Sequence, residues 1–255
     1  MIIFEFIDPV HFPIALLIVL GAYFIFGISG FGSSITAVPM LVQLYPLKTV
    51  IPVMVIIDIC ASSYVGRQSS KEACLDELKW ALPFSLMGMV LGVIMLIKLP
   101  SKLLLITLGL FAFMNGCRVL WRRHHELIKP INKYWAFPFG FIGGMFTALF
   151  ATGGPIYATY LGLRIGDLRA LRATMAFAIL MLALLRLVFM LVTGLILNWS
   201  VIGLAICLIP VTFLGLWLGT HAHGKMSNSS LRITFGVILL FSGACLLYTS
   251  PSPRD

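Results

Sequence analysis

The chain has 255 residues, of which 60% are hydrophobic and only 11% charged, with a mean hydropathy of +1.04. A water-soluble domain of this length could not cover so apolar a core with so little polar surface, so most of the surrounding solvent must be lipid. The formal charge of +9 does not point to nucleic acid, because the basic residues are scattered through short connections and form no patch with interleaved aromatics; they report membrane topology.

The first residues, Met1 to Asp8, contain acidic side chains and no Lys or Arg, and no small-residue cleavage site follows them, which is not the pattern of a cleavable signal peptide. Breaking the hydropathy at charges and turn formers then predicts eight long apolar stretches. They lie near residues 12 to 46, 49 to 66, 79 to 97, 100 to 121, 135 to 163, 173 to 197, 199 to 220 and 230 to 247. The expected fold is all-α, a polytopic membrane helix bundle of two homologous halves with inverted topology. A helix crosses a bilayer core in roughly 20 residues. The first and fifth stretches are too long for that, and each is interrupted by a glycine cluster, Gly30-Phe-Gly-Ser-Ser34 and Thr152-Gly-Gly-Pro155. Both are predicted to be broken helices.

Between the fourth and fifth stretches lies the strongly polar segment from Arg122 to Lys133, which divides the chain into a first membrane repeat (1–121), a basic linker (122–133) and a second repeat (134–244). A spacing of 127 pairs Gly88 with Gly215, Gly92 with Gly219, Thr107 with Thr234 and Gly109 with Gly236. A spacing of 121 pairs Gly32 with Gly153, Leu47 with Leu168, Lys48 with Arg169 and Met54 with Met175. Duplication with interrupted helices is a common plan of secondary transporters. The last stretch, 245–255, can be back-translated into a string resembling a sequencing adapter, so it is expected to be an artefactual tail and is given no functional weight.

If each glycine-broken stretch crosses twice, Arg67, Lys71, Lys79, the linker cluster, Arg164, Arg169, Arg172, Lys225 and Arg232 share one side, and the positive-inside rule makes that side cytoplasmic. Ten membrane elements with both termini outside follow. Eight helices with two kinked or re-entrant segments are the alternative.

Unwound backbone at membrane depth is tolerated only where it lines a cavity or packs on protein. The glycine clusters are therefore the first site candidates. Gly30 and Gly32 permit unusual backbone angles, and Ser33 and Ser34 place hydroxyls at the start of the next half-helix, whose N-terminus attracts an anion. Thr152, Gly153 and Gly154 before Pro155 repeat the device. Ionisable residues inside apolar runs are the second signal. Arg186 could hold an oxyanion bidentately, and Asp58 is a candidate for coupling to a proton, the bland alternative being that the two neutralise each other.

Asn115 is expected to bond between helices or to substrate, and Pro39, Pro52, Pro83 and Pro210 to kink helices. His221 and His223 resemble half a metal site but have no matching acidic or cysteine cluster, and His124 and His125 read as solvated linker residues. The five cysteines show no CxxC spacing and read as apolar filler. No nucleophile-base pair, phosphate loop or carboxylate dyad stands out, so no metal, cofactor or enzymatic activity is expected.

The stretch from Gly27 to Leu41, a Gly-rich turn running into Ala-Val-Pro, resembles the first-half hallmark of the TauE/SafE sulfite exporter family, and Phe150 to Leu161 is similar to its second-half counterpart. The Pro-Leu-Lys step at 46 to 48, the basic loop at Arg67 and the helix opening near Trp80 with Gly88 and Gly92 also fit. The resemblance implies a multi-pass permease of the bacterial inner membrane for sulfite, sulfonates or related organosulfur anions. Ser33 and Ser34 stand where that family often has further glycines, and Asp58 where it is often uncharged. The expectation is a secondary transporter whose partners are a small anionic substrate, the bilayer and a candidate coupling proton, with no nucleic acid and the oligomeric state left open. An anion channel, an integral membrane enzyme acting on lipid-linked substrate and a sensing subunit without transport are the alternatives.

Overall fold

The computed structural model describes residues 10–68, 72–121, 131–194, 198–222 and 228–249. Its regular structure among those residues is helical throughout. In chain order the helices are α1 (His11–Ser29), α2 (Ser33–Leu41), α3 (Leu47–Gln68), α4 (Leu75–Lys98), α5 (Ser101–Trp121), α6 (Ala136–Phe150), α7 (Gly154–Gly162), α8 (Leu168–Val192), α9 (Trp199–Ala222) and α10 (Asn228–Thr249). A 3-10 turn, Lys133–Trp135, leads into α6, with Asn132 accepting from Tyr134 N at its start. His124, His125, Lys225 and His223 lie outside the described residues.

Both overlong stretches are broken at the glycine clusters. Helix α1 stops at Gly30, whose φ of 77° is left-handed and whose N–H closes on Phe26 O; Gly32, at φ 97°, precedes α2. In the other break the left-handed position is taken by Ala151, at φ 61°, with its N–H on Thr147 O. Such a backbone favours glycine, so Ala151 is held by its packing.

Among the described residues the eight stretches thus become ten helices, and they are not alike as crossings. Helices α1, α3, α4, α5, α8 and α9 are long and apolar enough to span a membrane, and α10 is apolar over Gly236–Tyr248. Helices α2 and α7 have nine residues each, about 13 Å at 1.5 Å per residue, less than half of a bilayer core of about 30 Å. The expectation that each broken stretch crosses twice is therefore corrected: each is one longer helix joined to a half-helix. Helix α7 doubles back along α6, since the Tyr157 hydroxyl in its first turns lies 3.4 Å from Gly140 O, near the far end of α6.

Two helices begin earlier than hydropathy predicts, because their first turns are charged. Asp167 caps α8 by accepting from Ala170 N at 3.0 Å. Helix α4 opens with Asp76 and Glu77, which suit the positive end of a helix. Pro39, Pro52, Pro83 and Pro210 all lie inside helices.

Helix packing is organised by glycine. Gly88 of α4 rests on the backbone of Phe141 and Met145 in α6, and Gly92 on Met145, while Gly215 of α9 rests on Leu20 and Phe24 in α1, and Gly219 on Phe24. These four contacts repeat at the spacings found in the sequence, 127 for the glycines and 121 for the residues beneath them. Without a hydrophobic drive between helices in lipid, such close backbone approach supplies the association. Both pairs run parallel, because residue numbers rise together along the contact. Helices α5 and α10 run antiparallel, with Gly109 against Gly243 and Gly116 against Gly236. Helix α3 packs against α8 at the centre.

The outward faces keep large apolar side chains exposed, among them Met87, Ile94, Met114 and Val188. Several exposed tryptophans and tyrosines stand at helix ends, with Trp80, Trp121, Tyr134 and Trp135 around the linker and Trp199 and Tyr248 at other ends, the pattern of interfacial belts. Lys133 Nζ lies 5.6 Å from the Trp80 ring centre.

Candidate functional site

The tips of the two hairpins meet. A Cβ on Gly154 would stand 3.6 Å from Phe31 Cβ and 3.8 Å from Gly32 N, so the break after α1 faces the break after α6. Helices α3 and α8 close the sides of this point. Together they line a cavity that brings in Gly32, Ser33, Ser34, Asp58, Thr152, Gly154 and Arg186, seven of the nine residues singled out from the sequence. The remaining wall is Ile35, Thr147, Ala151, Pro155, Tyr157 and a face of α8 formed by Ile179, Leu182 and Ala183.

The other two candidates stand apart from the lining. Gly30 lies under α8, where a Cβ would press on the Arg172 carbonyl and side chain, and the Arg172 guanidinium bonds Gly27 O at the end of α1. Gly153 lets the break approach α6, where a Cβ would collide with the Thr147 hydroxyl and the Gly143 carbonyl. Their work is to shape the breaks.

Two buried charges face each other across the cavity. Asp58 is 3% exposed and Arg186 1%. Asp58 accepts three hydroxyl hydrogen bonds: Tyr23 at 2.7 Å and Ser33 at 3.0 Å to Oδ1, and Ser34 at 2.7 Å to Oδ2. The serines line the cavity and are also bonded within the protein. They occupy the first two positions of α2 after Gly32, and their hydroxyls serve the chain's own carboxylate, so the anion at the positive end of α2 is Asp58.

Arg186 is bonded otherwise. Its Nη1 donates to Thr147 O at 2.9 Å, and Nη2 comes only within 3.7 Å of Asp58 Oδ2, an ion pair without a hydrogen bond. Its Nε and Nη2 have no hydrogen-bond partner, and neither does the hydroxyl of Thr152, which is 1% exposed. Nε and Nη2 form one edge of the guanidinium, the edge that matches two oxygens of an oxyanion. A fully buried donor edge left unbonded carries a desolvation cost, and it is the strongest mark of a ligand position in this protein. Beside it, α7 begins with Gly153 as its cap, no side chain capping it and Pro155 in its first turn. Asp58 is the one acidic residue in the lining among the described residues.

Tyr23 and Thr147 were missed by sequence reasoning. Tyr23 is a phenol within an otherwise apolar helix, a signal that could have been followed, whereas the Thr147 carbonyl acts through backbone and leaves no trace in residue type. Tyr157 anchors α7 by donating to Ser85 Oγ on α4 at 2.7 Å. Asn115 turns out to bond within its own helix, to Phe111 O at 2.8 Å. His221 Nδ1 lies 2.9 Å from Trp217 O, and no cluster of metal-binding side chains occurs among the described residues.

Outside the cavity, Arg164 makes a bidentate pair with Glu77, at 2.8 and 2.5 Å, and donates to Ile131 O at 2.7 Å, tying the end of α7 to the start of α4 and the end of the linker. Glu77 holds the guanidinium charge firmly, pushing the Arg164 pKa above its ordinary value.

Comparison with known proteins gives a family and a relative. The family described as sulfite exporter TauE/SafE matches residues 15–246. The chain is 23% identical over 194 residues to a protein of Comamonas testosteroni named "Probable inner membrane transporter protein TsaS", an overlap of 76% of this chain and 80% of the relative. No solved structure matches.

Proposed function

This chain belongs to the sulfite exporter TauE/SafE family of membrane transporters, and from that premise we propose that it is a secondary transporter carrying a small anion, sulfite, a sulfonate or a related organosulfur anion, across the bacterial inner membrane. The observation that carries the reading is the unpartnered Nε and Nη2 edge of buried Arg186, set beside the Thr152 hydroxyl and the start of α7. Sulfite and sulfonates present three oxygens around one sulfur. Two fit the guanidinium edge and the third can accept from Thr152. The inner-membrane location follows the relative, and the sulfur chemistry follows the family description.

The two halves, 1–121 and 134–244, act as inverted repeats. Supporting this are the repeated glycine contacts at spacings of 127 and 121, and the run of the helices. Helix α6 is parallel to α4, α4 turns into α5 through Leu99 and Pro100, and α1 is parallel to α9 while α5 opposes α10. With reversal at each short connection, α6 opposes α1, and each later helix opposes its counterpart. Arg67, Lys79, Lys133, Arg164 and Arg169 then share one end with the linker, which the positive-inside rule makes cytoplasmic. Alternating access is rocking of these halves about the meeting point of the tips.

The test is uptake and counterflow of radiolabelled sulfite, thiosulfate, taurine and sulfoacetate in proteoliposomes, with wild type and Arg186→Lys. Lysine keeps the charge and loses the planar fork, so counterflow should fall about tenfold or more. Saturable counterflow that Arg186→Lys leaves unchanged would remove the edge as the binding group. Conduction without counterflow would make the protein a channel.

A further inference from the structure

We propose that Asp58 is a built-in competitor of the transported anion for Arg186, and that each singly charged anion bound is matched by one proton taken up on Asp58, so that anion and proton move together without net charge. This rests on the anion site proposed above and adds the coupling partner and its stoichiometry.

The geometry sets two anion positions around one cation. The first is filled by the chain itself: the Asp58 carboxylate sits at the start of α2 with hydroxyls of Tyr23, Ser33 and Ser34 on three of its roughly four acceptor positions. The second is the Nε and Nη2 edge of Arg186 beside the start of α7. At 3.7 Å the two charges attract without sharing a hydrogen bond, so an incoming anion can take the guanidinium edge without first breaking a bonded pair. Arg186 alone balances Asp58. A second anion leaves one negative charge unbalanced where water is largely excluded, and two close negative groups cannot both stay ionised there.

The proton has one place to go. The titratable and charged groups facing Asp58 are Tyr23 from α1 and Arg186 from α8; α2 offers only the two serine hydroxyls, and α9, also packed on α3, presents none to it. Tyr23 already donates its hydroxyl proton and Arg186 stays protonated, so the carboxylate is the acceptor: one Oδ–H bond forms and a solvent proton is consumed. The three hydroxyls can rotate, one turning from donor to acceptor for the new O–H, so the network stays bonded in both states. On the far side both the anion and the proton leave, and Asp58 again neutralises Arg186.

The probe is methanesulfonate, whose single charge does not change across the working range, with the full chain in detergent and in proteoliposomes. In the wild type its binding should weaken with rising pH, approaching tenfold per pH unit for one linked proton. An imposed proton gradient should drive accumulation with about one proton per anion, read by an internal pH dye. Asp58→Asn should lose accumulation to the level of protein-free vesicles, and the binding it retains should be independent of pH. The wild-type pH dependence serves as the check that needs no variant. Accumulation by Asp58→Asn at the wild-type level, or wild-type binding that ignores pH between 5 and 8, would overturn the coupling and leave the anion site standing. Neither binding nor counterflow of any anion by the wild type would overturn both.

Discussion

The break between α1 and α2 and the break between α6 and α7 occupy matched places in the two halves, and each starts a nine-residue half-helix at the centre of the molecule. At the first, every polar side chain named from the sequence has a partner: Ser33 and Ser34 bind Asp58, joined by Tyr23 from α1. At the second, Thr152 and two nitrogens of Arg186 have none. A shared backbone device has been loaded with different chemistry. One break has its hydroxyls taken by the chain's own carboxylate, Asp58 of α3, and the other leaves buried donors unpaired, and the proposed anion site rests on that asymmetry.

The largest expected effect comes from removing the cation that both tips share. Arg186→Gln should abolish counterflow and also destabilise the protein, since deleting one member of a buried pair typically costs about 3–5 kcal/mol. Adding Asp58→Asn should restore thermal stability and not transport, which separates the structural use of the pair from its use in binding. Recovery of transport in the double variant would break the comparison.

Next come the contacts in which the halves are alike. Gly88→Leu and Gly215→Leu each force a side chain into backbone of the neighbouring helix, and overpacking of this kind costs about 1–3 kcal/mol or more. Melting in detergent should fall by similar amounts for both, and a large inequality would count against equivalent roles for α4 on α6 and α9 on α1.

Hydroxyl deletions, comparable in size or smaller, should separate the tips. Thr152→Val removes a buried hydroxyl that has no partner within the protein, so under the proposed site affinity should drop by about 1 kcal/mol, roughly fivefold, with little change in melting. Ser34→Ala removes a donor to a charged group and should cost about 1.5–3 kcal/mol of stability, with the pH dependence of binding altered more than its strength at low pH. The smallest change is expected for Glu77→Gln. The Arg164–Glu77 side chains are only 14% and 21% exposed, but the pair sits near the helix ends, and a loss of about 1 kcal/mol or less is expected in melting. At the spacing of 121, Arg164 is matched by Gln43, which donates to Pro39 O instead.

Much of this arrangement could be read from residue order. Overlong apolar runs with glycine clusters gave the two breaks, and repeated glycine spacings gave the contacts of α4 with α6 and of α9 with α1. Asp58 and Arg186 stood out because charge in an apolar run is costly. What escaped was decided in three dimensions. Hydropathy ends at a charge, so the capped and acidic first turns of α8 and α4 were cut short. It also cannot tell a half-helix folded back from a second crossing, which is why nine-residue α2 and α7 were read as spanning. The serines looked like ligand donors because the sequence does not show that Asp58, 24 residues beyond Ser34, returns to the same tip. Thr147 contributes through its carbonyl, which every residue possesses.

The most direct test is a crystal structure of the full chain with bromomethanesulfonate, whose bromine marks the anion by anomalous scattering. The account predicts a sulfonate bridging Arg186 Nε and Nη2 and accepting from Thr152, with Asp58 still held by Tyr23, Ser33 and Ser34. A sulfonate at the start of α2 with Asp58 displaced, or an Arg186 edge bonded to Asp58 while the anion lies elsewhere, would contradict it.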